Sequence, residues 1–176
     1  MGIPNIRPGY RQITRRDTIF QERVDDAYKV KGKLPEPTAC PQCSAVFQQG
    51  RWQWLPAPAN AREHRCPACQ RIQDNYPAGF LTLEGDFLRE HHDEIMNLVQ
   101  NFEKTKKSQY PLQRIMATEG QDNGLLITTT DIHLARGIGE AIHSAYQGNL
   151  DLQYNENENL LRAYWSRRFD NLAKQP

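Results

Sequence analysis

Four cysteines are the residues of this chain whose type and spacing point most directly to chemistry. Cys40 and Cys43 form one Cys-x-x-Cys pair, Cys66 and Cys69 form a second, and the sequence has no other cysteine. Two intervening residues let a tight turn aim both sulfurs at one point, and four thiolates are a common ligand set for tetrahedral zinc. The pattern therefore predicts one structural Zn²⁺ ion held by all four side chains.

Four cysteines can also serve functions other than zinc binding, and these stay open as alternatives. An iron site or an iron–sulfur cluster also uses four cysteines, and the spacing does not exclude it. A redox Cys-x-x-Cys pair needs only one pair, usually at a helix start, and the surrounding sequence suggests that context for neither pair. Disulfides are less favoured because no apolar secretory segment is visible near Met1, so we expect a reducing, cytoplasmic setting. Four thiolates leave no coordination position for water, so we expect no enzyme activity from this metal.

The segment around the cysteines, residues 40–72, is predicted to be a zinc ribbon. A turn at residues 48–50 separates two short apolar stretches, which is typical of a hairpin. Trp52 and Trp54 alternate with polar residues, so both indoles should lie on one face. At least one of them should form the small core of the ribbon, and Trp54 could stack on a nucleic-acid base.

Positive charge is concentrated in the first half of the chain. Residues 1–82 contain 12 Lys or Arg and 7 Asp or Glu, whereas residues 83–176 contain 10 and 14. Residues 1–39 are interpreted as a basic extended arm, and an arm of this kind can become ordered on a phosphate backbone. The residues expected to contact RNA are Arg11, Arg15, Arg16, Lys29, Lys31, Lys33, Arg51, Trp54, Arg62, Arg65 and Arg71.

The rest of the chain predicts a second, larger unit. Residues 73–84 are interpreted as a linker, residues 85–168 as an α-β-β-α-β-β domain with a four-stranded sheet, and residues 169–176 as a tail. The overall fold class is therefore α+β. The sequence contains no run of about 18 apolar residues, so no membrane span is predicted. No pattern indicates a small-molecule substrate.

The stretch from Asp86 to Arg168 resembles the ribosomal large-subunit export adaptor family, also called the nonsense-mediated-decay protein three family. The resemblance rests on Ile115-x-x-x-Glu119-x-x-x-x-Gly124-Leu125, on Ala135-Arg136 at the start of a helix, and on Arg162-Ala163-Tyr164-Trp165. Paired Cys-x-x-Cys motifs before this stretch also fit that family. Four cysteines here, fewer than in the long members, imply one metal ion in a short bacterial-type member.

The resemblance implies contact with the large ribosomal subunit through ribosomal RNA, with a ribosomal protein as a second candidate partner. Together with the basic arm and the ribbon, it predicts a zinc-stabilised RNA- or ribosome-binding protein that acts in assembly, quality control or dormancy. Two alternatives remain at this point. One is a protein–protein adaptor with a structural zinc ribbon, and the other is an enzyme with an unrecognised pocket in the α/β domain.

Overall fold

The computed structural model describes residues 5–18, 28, 30 and 32–169, and it shows a mixed α+β fold with two sheets. The expected fold class is thus confirmed. The helices are α1 (Pro67–Asp74), α2 (Asp86–Glu90), α3 (His92–Gln109) and α4 (Ile132–Tyr146). The strands are β1 (Arg11–Ile13), β2 (Thr38–Ala39), β3 (Val46–Gln48), β4 (Arg51–Gln53), β5 (Arg62–Glu63), β6 (Gly79–Glu84), β7 (Ile115–Gln121), β8 (Gly124–Thr129), β9 (Asn149–Asn155) and β10 (Leu160–Ser166).

The larger sheet has six strands in the order β1-β9-β10-β6-β8-β7, which corrects the expected four. The strand β6 lies at its centre, parallel to β10 and antiparallel to β8. Its residues fall within 73–84, which the sequence analysis interpreted as a linker. Leu81 and Leu83 are fully buried and alternate with half-buried Phe80 and Thr82, so this short segment is a half-buried strand.

A further strand of this sheet comes from the segment interpreted as an extended arm. The strand β1 pairs antiparallel with β9, with Ile13 opposite Leu152. Ile13 is 3% exposed and packs in the main core, which explains why this polar stretch joins the sheet. The arm therefore contributes structure at one sheet edge.

One face of the six-stranded sheet is covered by α4, which contacts β6, β8, β9 and β10, and α3 packs against α4. Ile138 and Ile142 of α4 are fully buried and share one apolar core with Leu81 and Leu161 of the sheet. Asp131 begins α4 as its N-cap, because its carboxylate accepts a hydrogen bond from the amide of Leu134 at 3.0 Å.

Close packing between α4 and the sheet depends on a glycine. A Cβ atom at Gly79 would lie 2.3 Å from the Thr129 hydroxyl oxygen and 2.5 Å from the Cβ of Ala135. These distances are far shorter than van der Waals contacts, so only glycine fits at the start of β6.

The smaller sheet has four strands in the order β4-β3-β2-β5 and carries both cysteine pairs. The predicted hairpin is β3 and β4, which pair across the turn at Gln49 and Gly50. Two strands of two residues each and the helix α1 complete the unit, which is more than the hairpin that the sequence predicted. None of the described helices is both long enough and apolar enough to cross a membrane.

Candidate metal centre

Two neighbouring parallel strands bring the cysteine pairs together. In the small sheet β2 pairs with β5, with Ala39 opposite Glu63. Cys40 directly follows β2, and Cys66 follows β5 after two residues, so both pairs leave the sheet at the carboxyl ends of adjacent strands. Backbone hydrogen bonds between the two strands thus bring the cysteine pairs close together, so their approach does not depend on the metal alone.

The two pairs are held by different local structures. The first pair lies in a tight turn, in which the amide of Ser44 donates to the carbonyl of Cys40 at 2.9 Å. The second pair begins α1, where Cys66 is the N-cap and Pro67 the first helical residue. This corrects the expectation that neither pair lies at a helix start. The nearby first pair still distinguishes the site from a redox motif, which needs only one pair.

The four sulfur atoms converge on one point. The Sγ atoms of Cys40, Cys43, Cys66 and Cys69 all lie within 4.8 Å of one another. The separation of the Cys43 and Cys66 sulfurs is 3.8 Å. Zinc–sulfur bonds of about 2.3 Å at tetrahedral angles place sulfurs about 3.8 Å apart, so the residues fit a four-thiolate metal site. Three of the cysteines are buried and Cys43 is half-buried, so a metal held there would be shielded from water.

Arg114 reaches this cluster from outside the ribbon. Its Nη1 donates to the sulfur of Cys69 at 3.2 Å, and its Nη2 donates to that of Cys43 at 3.1 Å. A longer contact of 3.7 Å joins Nη2 to the Cys66 sulfur. The side chain is 7% exposed, so a buried cation faces three of the four sulfurs.

The backbone around Arg114 is fixed before the side chain reaches the sulfurs. Its amide donates to the hydroxyl of Thr130 at 3.0 Å, and its carbonyl accepts from the amide of Thr130 at 2.9 Å. Its Nε donates to the carbonyl of Pro111 at 2.8 Å. These bonds hold the guanidinium as a planar fork aimed at the cluster, as outer-shell residues do around metal ligands.

Burial and hydrogen bonding set the pKa values of these groups. Burial is the main cause that raises the pKa of Cys66 and of Cys69, and at Cys69 the hydrogen bond from Arg114 works in the opposite direction. Burial also opposes ionisation of Cys40, but amide groups, that of Cys66 foremost, outweigh it and lower its pKa to about 7. At Arg114, burial disfavours the charged form, yet the bonds to Cys69 and Cys43 raise its pKa. A metal ion would supply the positive charge that a cluster of four thiolates requires.

The two tryptophans have separate roles. Trp52 is 9% exposed and packs edge-on against Phe47, with ring centroids 5.6 Å apart, so it forms the ribbon core as expected. Trp54 is 38% exposed, and its Nε1 donates to the main-chain carbonyl of Lys107 at 2.7 Å. Its ring also lies 5.9 Å from the guanidinium carbon of Arg114. Trp54 thus joins the ribbon to the last turns of α3.

The basic residues predicted to contact RNA do not form one surface. Lys33, Arg51 and Arg62 are exposed, and Arg65 is half-buried. Lys29 and Lys31 lie outside the described residues. Arg11, Arg15 and Arg16 are exposed in and after β1, at one edge of the larger sheet. The opposite edge is β7, which directly follows Arg114 at the cysteine cluster, so these three arginines lie at the edge away from that cluster.

Arg71 is a correction to the predicted set. It is 3% exposed, and its guanidinium carbon lies 4.5 Å from the ring centre of Tyr28. Its Nη1 donates to the carbonyl of Tyr76 at 3.1 Å. The side chain is enclosed by its own chain, so it is not available to a phosphate in this structure.

Sequence reasoning missed Arg114, although its guanidinium donates to three of the four sulfurs. No periodicity marks it, because it lies in the short connection between α3 and β7. The one local signal is that residues 104–114 contain four basic residues and no acidic one.

Comparisons with known proteins add no relative. No protein-family model matches the chain, and neither the curated proteins nor the solved structures contain a match. The resemblance to the export adaptor family therefore stays a prediction from the residues, and the site carries the functional argument.

Proposed function

We propose that this chain is a zinc-stabilised RNA- or ribosome-binding protein of the cytoplasm, with ribosomal RNA of the large subunit as its contact. The observation that supports this most is the exposure of cations and an indole on the ribbon beside the candidate metal centre. Arg51 is exposed on the edge strand β4, Arg62 is exposed on the opposite edge strand β5, and Trp54 leaves 38% of its surface open. Arginine forks suit phosphate oxygens, and an open indole suits a base.

Zinc is the metal that we propose, with Cys40, Cys43, Cys66 and Cys69 as its ligands. Thiolates with tetrahedral spacing favour zinc over hard cations such as magnesium. A divalent ion on four thiolates leaves two negative charges, and Arg114 offsets part of this excess in a buried site. The metal would supply rigidity and no reactive water, because four sulfurs fill its coordination sphere.

The proposed role is binding without catalysis, and a metal with four sulfur ligands agrees with it. The family likeness of residues 86–168 adds the large ribosomal subunit as the proposed partner, with a ribosomal protein as a second candidate. Free thiols buried in one cluster also agree with a reducing compartment, which is the reason for the cytoplasmic assignment.

Elemental analysis tests the metal. We expect about one zinc per chain in protein purified under reducing conditions, and loss of that zinc in the Cys66→Ser variant. Iron in place of zinc would give visible absorbance from thiolate-to-iron charge transfer. Protein that is folded and binds no transition metal would overturn the proposed centre.

Co-sedimentation with purified ribosomes tests the function. Binding through several phosphates should weaken steeply as salt rises from 50 to 200 mM. The double variant R51Q/R62Q should bind less, whereas R89Q/R168Q should bind as the parent protein does. This control removes the same charge at exposed positions beside a separate hollow of about 890 Å³. Absence of binding by the parent protein at low salt would contradict the proposal.

A further inference from the structure

Two chain segments without acidic residues meet beside the metal centre. Residues 51–62 contain two arginines, residues 104–114 contain three lysines and one arginine, and neither segment has an Asp or Glu. The hydrogen bond from Trp54 to the Lys107 carbonyl holds the two segments together. The second half of the sequence is acidic overall, so residues 104–114 lie beside another basic segment, residues 51–62, only because the chain folds.

Two of the lysines remain available on this surface. Lys104 and Lys107 are exposed. Lys106 is half-buried, with its ammonium nitrogen 5.5 Å from the ring centre of Phe102, and Arg114 is engaged by the sulfurs. The carbonyl end of a helix carries partial negative charge, which the lysines offset before they attract an anion.

Exposed aromatic side chains lie on the same two segments as these cations. Tyr110 caps α3 and is 52% exposed, and Trp54 is 38% exposed. Tyr110 and Arg51 line the same cleft of about 600 Å³, where the ribbon meets the connection after α3. An exposed tyrosine and tryptophan between cations are the groups on which single-stranded bases stack.

We infer that single-stranded RNA binds across β4 and the C-terminal end of α3, not on the ribbon alone. Trp54 and Tyr110 stack on bases, and Lys104 and Lys107 contact phosphates together with Arg51. This inference rests on the proposed function, since it names the surface and the form of RNA for that binding. Single-stranded RNA is preferred to an acidic peptide because planar open rings recognise bases, whereas cations alone suffice for carboxylates.

Fluorescence anisotropy of a labelled single-stranded RNA of about 12 nucleotides tests the surface with the metal-loaded full chain. In K104Q/K107Q, the slope of log K against log salt should become shallower by about 1.4, since each lost phosphate contact removes about 0.7. Tyr110→Leu should weaken binding about 5- to 150-fold with an unchanged slope, because only stacking is lost. Tyr110→Phe keeps the ring and should bind as the parent protein does.

The matched controls are K106Q, whose lysine is already packed on Phe102, and R89Q/R168Q. His92 borders the same hollow as Arg89, and it lies fifteen positions before Lys107 in α3, a rise of about 22 Å. Neither control should alter the slope by as much as K104Q/K107Q. Far-ultraviolet circular dichroism and zinc content confirm that each variant is folded and loaded.

The outcomes separate this inference from the proposed function. Loss of ribosome binding in R51Q/R62Q with no change in K104Q/K107Q and Tyr110→Leu would overturn the extended surface and leave the function intact. If K104Q/K107Q loses affinity for labelled RNA and for polyglutamate to the same extent, and Tyr110→Leu changes neither, the surface binds anions in general. That result would overturn the RNA assignment. Failure of the parent protein to bind either ribosomes or RNA would overturn both.

Discussion

The Nη2 atom of Arg114 lies 3.1 Å from the sulfur of Cys43, although 71 positions separate the two residues in the chain. This contact links the metal centre to the unit that contains the six-stranded sheet. Leu112 makes the same connection, because it packs against the ribbon core, which contains Trp52 and three of the cysteines.

Replacement of Arg114 by glutamine should weaken metal binding about 10- to 100-fold, since outer-shell partners of metal ligands typically contribute this much. The metal affinity of the Arg114→Lys variant should lie between those of R114Q and the parent protein, because an ammonium keeps the charge and loses the planar fork. Competition against a chromogenic zinc chelator measures the affinity. Arg162, whose guanidinium packs 4.2 Å from the ring centre of Phe80, gives the control R162Q. Equal zinc affinity in R114Q and the parent protein would show that the guanidinium does not stabilise the loaded centre.

Removal of the metal should loosen residues 40–72 and also the connection around Arg114, while the core of the larger sheet persists. The ribbon core is small and contains the sulfurs themselves, whereas the main core includes none of the ribbon residues. Hydrogen exchange with and without chelator measures this. We expect lost protection in residues 40–72 and 111–115 and retained protection in β6, β8 and β10. Restored protection on zinc addition is the control, and protection unchanged throughout would contradict the prediction.

The two tryptophans of the ribbon should respond differently to truncation. Trp52→Ala should lower the free energy of unfolding of the ribbon by about 3 kcal/mol, because it removes a buried ring. Trp54→Phe should cost about 1 kcal/mol, mainly from the lost hydrogen bond to Lys107. Urea titration followed by hydrogen exchange of the ribbon amides gives both values. A larger cost for Trp54→Phe than for Trp52→Ala would mean that the junction with α3, and not the ribbon core, limits stability.

A methyl group at Gly79 should destabilise the larger sheet by about 1–3 kcal/mol, because it would overlap Thr129 and Ala135. Gly120→Ala is the matched control, since a Cβ there meets no atom within 4 Å. Thermal unfolding by circular dichroism compares them. If both variants unfold at the same temperature, the tight contact between β6 and α4 is not a determinant of stability.

The sequence allowed the cluster of four cysteines and the α+β class to be predicted, because both depend on local patterns. Cysteine spacing sets the ligand group, and the Asp131 cap marks the start of α4. The strand β6 was missed because Pro77 and Gly79 imitate a linker, although Leu81 and Leu83 alternate as in a strand. Arg114 and Arg71 could not be placed, since each meets a distant part of the chain, Cys43 at Arg114 and Tyr28 at Arg71.

The central position of β6 has a consequence for synthesis on the ribosome. Leu81 pairs with Ala163, so the middle of the larger sheet stays incomplete until the end of the described chain has emerged. The ribbon residues emerge much earlier and form their hydrogen bonds locally, so they can take up metal on a nascent chain. The metal-loaded ribbon would then form before Arg114 is synthesised and could contact it only later. The leucines of β6 would stay exposed to water until β10 is synthesised.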